Sequence, residues 1–214
     1  MTARNLFGRR NSLLSLFFPF LLVLLLSSPG SAQGFGLKFA YPTTDALVTT
    51  VTNPFVTYSA HGQAPKFGVT GELRLPAGLL FEMDALYSRL SYAVTDTTTL
   101  ARQNTVVNCW DFPVLVKKKF FNSAVSPFVN GGAAFRAVNA NRSDSNLQPP
   151  ELVHQASVGF TFGGGLDFKV GKIHVLPEFR YTRLETENFR TPLGLHSNLV
   201  QPMFLLGFER IKDR

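Results

Sequence analysis

The chain has 214 residues, with 21 lysines and arginines against 14 aspartates and glutamates, a single cysteine and a formal net charge of +7. That length fits one domain. The lone Cys109 excludes an intramolecular disulfide, and a basic surface able to hold nucleic acid is also excluded, because Lys117, Lys118 and Lys119 form the only basic cluster.

Arg4, Arg9 and Arg10 precede an apolar run from Leu13 to Leu26, and Pro29, Gly30, Ser31 and Ala32 follow as a small-residue exit. This is the pattern of a secretory signal peptide over residues 1–32, cleaved after Ala32. An uncleaved anchor is the rival reading, but the apolar run is about 14 residues long and contains Pro19, whereas a spanning helix needs roughly 20. Ser12 stands where a twin-arginine signal prefers an apolar residue, so the ordinary secretory route is expected. No cysteine near the cleavage point offers a lipid attachment site. Three arginines leave with the signal, so residues 33–214 carry 18 basic and 14 acidic side chains. No later apolar stretch is long enough for a spanning helix.

The remaining domain reads as strands. Alternation predicts eight of them, near Gly34 to Tyr41, Lys66 to Leu75, Gly78 to Ala93, Thr105 to Phe121, Pro127 to Val138, Gln155 to Val170, Lys172 to Leu184, and Asn198 to Arg210. The sixth shows the pattern best: Phe160, Phe162, Gly164, Leu166 and Phe168 alternate with Gly159, Thr161, Gly163, Gly165 and Asp167. One face is apolar and the other small or polar. Long and short connections alternate without exception, with Pro76-Ala77, Asn122-Ser123 and Gly171 as the short ones. An even number of strands with that rhythm, behind a secretion signal, predicts an all-β fold, an eight-stranded antiparallel transmembrane up-and-down barrel.

Assigning faces separates charge from hydrocarbon. Phe35, Leu37, Phe39 and Tyr41 fall on the outward face of the first strand, and Lys38 faces inward. Phe67, Val69, Leu73 and Leu75 face out from the second, leaving Lys66, Thr70, Glu72 and Arg74 inside. The third sends Leu79, Phe81, Met83 and Tyr87 outward, with Glu82, Asp84 and Ser88 inside. Trp110, Phe112, Val114 and Val116 oppose Asp111, Lys117 and Lys119, and Ile173, Val175, Phe179 and Tyr181 oppose His174, Glu178, Arg180 and Thr182. A charge on the lipid side at mid-membrane costs about 2–4 kcal/mol, which accounts for this avoidance. A soluble lipocalin-like barrel would instead bury an apolar interior. Tyr41, Tyr87, Trp110 and Tyr181 are expected as interfacial anchors. Pro113, Pro177 and Pro202 interrupt predicted strands, and each requires a bulge or a place near a rim. The glycines of strands five and six fit tight curvature, not a phosphate loop, since no helix follows them.

Four segments carry a family resemblance: Trp110-Asp-Phe-Pro-Val-Leu-Val-Lys, Pro127-Phe-Val-Asn-Gly-Gly-Ala-Ala-Phe-Arg, Gly163-Gly-Gly-Leu-Asp-Phe, and Pro177-Glu-Phe-Arg-Tyr-Thr. The chain resembles the small outer-membrane β-barrel proteins of the OmpA, OmpX and opacity type, and more narrowly the porin-like outer membrane protein beta-barrel domain. The resemblance implies a Gram-negative outer membrane, with its lipid and lipopolysaccharide and the barrel assembly machinery as partners. It implies no cofactor and no enzyme activity. Such barrels often end on an aromatic residue, whereas this chain continues past Phe208 with Glu-Arg-Ile-Lys-Asp-Arg, making Phe208 the displaced aromatic end.

The strongest candidate site is the inward charge set: Lys38, Glu72, Arg74, Glu82, Asp84, Asp111, Lys117, Lys119, Arg136, Asp167, Lys169, Glu178, Arg180 and Glu209. An eight-stranded lumen is just wide enough for side chains to fill, and buried charges require partners. A plug of salt bridges centred on Glu178 and Arg180 is therefore expected, with a narrow ion or small-solute channel as the alternative. A lipid A-modifying enzyme is a weaker alternative. His196-Ser197 with Glu185 or Glu187 supplies the residue types of a hydrolase, but adjacent residues on an extended chain point to opposite sides. His61, His154 and His196 lack the spacing of a metal site, and Cys109 reads as a packed strand residue. The threonine-rich first loop, Thr43 to Thr57, has an alternation able to extend a hairpin above the membrane, where it could capture a partner strand or serve as a protected surface loop. The overall expectation is a non-enzymatic outer-membrane protein with a structural or surface-interaction role.

Overall fold

The computed structural model describes residues 32–49, 56–61, 64–96, 102–121, 123–141, 151–190 and 195–211. The signal-peptide reading covers residues 1–32, of which all but Ala32 lie outside those described, as do residues 142–150 of the third long loop.

Eight long strands form the wall: β1 (Ala32–Pro42), β2 (Lys66–Arg74), β3 (Leu79–Asp96), β4 (Arg102–Lys119), β5 (Val125–Asn141), β6 (Ala156–Val170), β7 (Ile173–Leu184) and β8 (Val200–Ile211). Hydrogen bonding follows the order β3, β2, β1, β8, β7, β6, β5, β4, and β3 pairs in turn with β4, so the sheet closes on itself. The first and last strands meet antiparallel, Gly34 opposite Ile211 through Pro42 opposite Met203. Closure removes the free edges that an open sheet would expose, which a bilayer requires because lipid offers backbone groups no partner.

The predicted alternation is the observed one. Phe35, Phe39, Tyr41, Phe67, Phe162 and Phe204 are each more than half exposed on the outside, while Lys38, Glu82, Lys117, Asp167 and Arg180 are at most 1% exposed inside. Aromatic rings meet side by side along the outer face: Tyr87 lies 5.1 Å from Trp110 and Phe179 lies 5.1 Å from Phe204, centroid to centroid. A surface with this much exposed hydrocarbon is stable against lipid and unstable against water.

The short connections are tight. Leu75 N donates to Leu79 O at 2.9 Å across the Pro76–Gly78 turn, in which Ala77 and Gly78 take φ of 61° and 68°; Gly171, at φ 64°, closes the turn between β6 and β7. Close approach also fixes Gly165, where a methyl group would lie 2.2 Å from Pro177 O and 2.8 Å from the Phe128 ring.

Two prolines depart from the sequence expectation. The β3–β4 register runs Met83↔Val114 and resumes at Leu86↔Asp111, and the β6–β7 register runs Val175↔Phe168 and resumes at Glu178↔Gly165. The ladder is interrupted beside Pro113 and Pro177 and continues in the same register, so neither needs an inserted residue. The lost donors are absorbed by a gap of two pairs. Pro202 fits the rim expectation, since its carbonyl accepts from Thr43 N at 2.9 Å just past the end of the β1–β8 ladder.

At the long-loop end, β3 and β4 reach 18 residues each, beyond the ~9–11 that cross a bilayer. Val56–His61 pairs with the upper part of β3, from Val56↔Asp96 to His61↔Ser91. The other described half of the first loop, Leu47–Thr49, pairs instead with Leu195–Ser197 of the last loop. Among the described residues the loop is thus shared between two partners and does not fold as a hairpin on itself. Leu195–Ser197 continues through Phe189–Arg190 to Glu151–Leu152, giving a small four-stranded sheet built from three different loops. Asn188 ties it together: its Nδ2 donates to His154 O at 3.0 Å, its carbonyl accepts from Val153 N at 2.9 Å, and its Oδ1 accepts from Ser157 Oγ at 3.2 Å.

Candidate functional site

The lumen is the place where this fold gathers chemistry, because alternation sends one side chain in two inward from eight strands. At its centre stands Arg180, contributed by β7. Its Nε donates to Glu178 Oε1 at 2.6 Å, its Nη1 to Asp84 Oδ2 at 2.7 Å and its Nη2 to Glu82 Oε1 at 3.0 Å. Lys38 from β1 pairs with Glu82 and lies 3.1 Å from Asp84. Lys117 from β4 bridges Glu72 at 2.5 Å and Glu82 at 2.8 Å, with the Phe128 ring 4.3 Å from its ammonium. Asn130 Nδ2 donates to Glu178 Oε1 at 2.9 Å. Glu72, Glu82, Asp84 and Glu178 therefore each face at least one fixed cation, the condition under which buried charge is tolerable.

Two further polar groups lie along the axis. Toward the short-turn end, Asp167 takes Lys119 at 2.8 Å and His174 Nδ1 at 2.6 Å. Toward the long-loop end, Asp111 accepts a fork from Arg136, at 2.6 and 3.0 Å, and Lys66 at 2.5 Å. Asp111 and Arg136 stand opposite each other in the β4–β5 ladder. Gln201 Oε1 closes the group, accepting from Arg136 at 2.6 Å and Lys66 at 3.1 Å. Ala40, Leu86, Met203 and Leu205 form a buried apolar cluster from neighbouring inward positions. Cavities in this upper part of the lumen, one beside Lys66 and Cys109 and one beside Asp111 and Pro113, each measure about 20 Å³, room for one water.

Of the charged residues predicted for this site, Lys38, Glu72, Glu82, Asp84, Lys117, Glu178 and Arg180 come together in the central layer, while Asp111 and Asp167 anchor the groups on either side. Arg74 and Lys169 do not join the buried set. Both keep inward parity, but each sits at a strand end next to a short turn and is exposed to solvent. Sequence reasoning left Lys66, Gln201 and Asn130 out of the set. Lys66 carried a legible signal, two inward positions before Thr70, whereas neutral Gln201 and Asn130 gave none.

The outer-loop residues weighed as a hydrolase do not assemble as one. Ser197 is buried and its Oγ accepts from Phe189 N at 2.9 Å, while His196 Nδ1 lies 3.7 Å from Glu187 Oε1. His154 Nδ1 approaches the same residue, 3.1 Å from Glu187 O. Cys109 is buried, facing the lumen.

A closed antiparallel barrel with hydrocarbon outside and ion pairs inside is a membrane-spanning β-barrel of the outer-membrane type. No protein-family model matches the chain, and no curated protein matches its sequence. Solved structures do share the fold. Neisserial surface protein A is similar over 85% of this chain and 98% of its own, at 14% identity and a TM-score of 0.53. The outer membrane protein AlkL, determined in lipid bilayers, is similar over 86% of this chain and 91% of its own, at 11% identity and a TM-score of 0.51.

Proposed function

We propose that the protein is a non-enzymatic barrel of a Gram-negative outer membrane, with 33–214 as the mature domain after signal cleavage, and that its role is structural or one of surface interaction. The observation that carries this reading is the ion-paired lumen: Arg180 alone engages three carboxylates from two strands, and the two cavities beside the upper groups each have room for a single water. A passage for solutes would require that cluster to come apart. The work of the protein then falls to its two surfaces. The apolar belt meets membrane lipid. Arg89 and Arg183, exposed on the same outward faces as Tyr87 and Tyr181, support contact with the anionic groups of lipopolysaccharide above the belt. The sheet shared by three outer loops supports a folded surface platform in place of loose loops. The barrel assembly machinery would engage β8, with Phe208 as its aromatic end.

Planar-bilayer recording on the purified protein tests the reading. A closed baseline across applied voltage is expected. Steady unitary conductance would overturn it and favour a narrow channel.

A further inference from the structure

Among the described residues the buried lumen holds six fixed cations, counting Lys66 and Lys119, and seven carboxylates. Six of the seven touch a cation. The exception is Glu209 on β8, 1% exposed, with neither carboxylate oxygen in a hydrogen bond. Its ladder neighbour on β7 is His174, whose Nδ1 is committed to Asp167 at 2.6 Å. Its inward neighbours are Glu72 and Glu82: one oxygen from each of the three carboxylates lies within 4.8 Å of the others. Lys117 binds Glu72 and Glu82 without hydrogen-bonding Glu209, Lys119 lies 3.6 Å from Glu72, and Lys38 is turned to Glu82 and Asp84.

A buried carboxylate with no partner is among the most expensive features a fold can hold, and this one points at two more. We propose that Glu209, Glu72 and Glu82 form a site for a small, hard, monovalent cation such as sodium. Three carboxylates and no sulfur or imidazole define an oxygen donor set, which selects hard ions over transition metals. The valence follows from the buried lysines, arginines and carboxylates just counted, with His174 and the rim residues Arg74 and Lys169 left out: seven negative charges face six positive ones, so one further positive charge balances that set. Glu72 and Glu82 are held in position by Lys117, and Glu209 supplies the ligand that no protein group has claimed. The site concerns the packing of the lumen and holds whether or not the barrel conducts.

The test is thermal unfolding of protein purified in non-ionic detergent, in sodium chloride and in choline chloride at equal ionic strength. Sodium at tenfold its dissociation constant should raise the unfolding midpoint by about 3–6 °C over choline. Glu209→Gln, which keeps the shape and removes the charge, should abolish that difference and unfold in choline no lower than the wild type. Equal midpoints for the wild type in the two salts would overturn the proposal, with a shared proton as the balancing charge, and this comparison needs no variant. A Glu209→Gln protein that keeps the sodium effect would overturn the assignment of the ligand. Stabilisation by calcium chloride and not by sodium would overturn the assignment of the valence.

Discussion

Arg180→Met tests the plug most sharply. The substitution keeps an unbranched side chain of comparable reach and removes the only cation that, among the described residues, lies within hydrogen-bonding distance of Glu178. Glu82 retains Lys38 and Lys117, and Asp84 retains Lys38 at 3.1 Å, so these two are weakened without being stranded. Glu178 is left with the Asn130 amide at 2.9 Å and Lys38 at 3.8 Å. One buried carboxylate deprived of its partner costs about 3–5 kcal/mol. For a chain of this size each kcal/mol moves the midpoint by about 2–4 °C, so a fall of about 6–20 °C is expected. Loss of β-sheet circular dichroism in detergent measures it. The double variant Arg180→Met with Glu178→Gln removes the stranded charge and should recover at least half of the loss. A single variant within about 1 °C of the wild type would refute the reasoning, because it would mean that water already solvates the carboxylates and that the lumen is wet.

Leu206→Arg places a cation on the outer face between Phe39 and Pro177 of the neighbouring strands, level with the central layer; it should lower folding stability in lipid vesicles by about 2–4 kcal/mol, against roughly 0–1 for Phe121→Arg at the short-turn rim. Equal costs at the two sites would contradict the placement of the membrane. Gly165→Ala forces a methyl into Pro177 O and the Phe128 ring, and a denaturant titration should show about 1–3 kcal/mol of destabilisation; an unchanged midpoint would mean that the two strands do not approach this closely.

The wall was legible in the sequence because a membrane barrel makes a two-residue period visible: one face must be hydrocarbon and the other must not, so Phe35 to Tyr41 or Ile173 to Thr182 can be assigned residue by residue. The charged centre was legible for the same reason, since an inward Glu178 and Arg180 two residues apart on one strand can pair with each other and draw their remaining partners from other strands. Strand ends were less legible. Arg74 and Lys169 obey the alternation, yet parity alone does not reveal how close a residue lies to the solvent at the rim. Pro113 and Pro177 misled because the rule about lost donors counts single bonds, while a barrel with intact pairs on both sides bridges a short gap without changing register. The outer sheet was invisible, because pairing of Leu47–Thr49 with Leu195–Ser197 joins segments at opposite ends of the chain, and the alternation within the first loop suggests a strand there without naming its partner. Glu209 was identified as inward, but its lack of a partner is a property of three-dimensional packing alone.

The inside-out arrangement itself is tested most directly by Trp110, the single tryptophan, which stands 43% exposed on the outer face between Tyr87 and Phe112. In vesicles whose lipids carry bromine on the acyl chains, its fluorescence should fall strongly relative to unbrominated lipid, with no loss to a water-soluble quencher such as iodide. Strong iodide quenching with no effect of brominated lipid would place the aromatic face in water and contradict a membrane-spanning barrel.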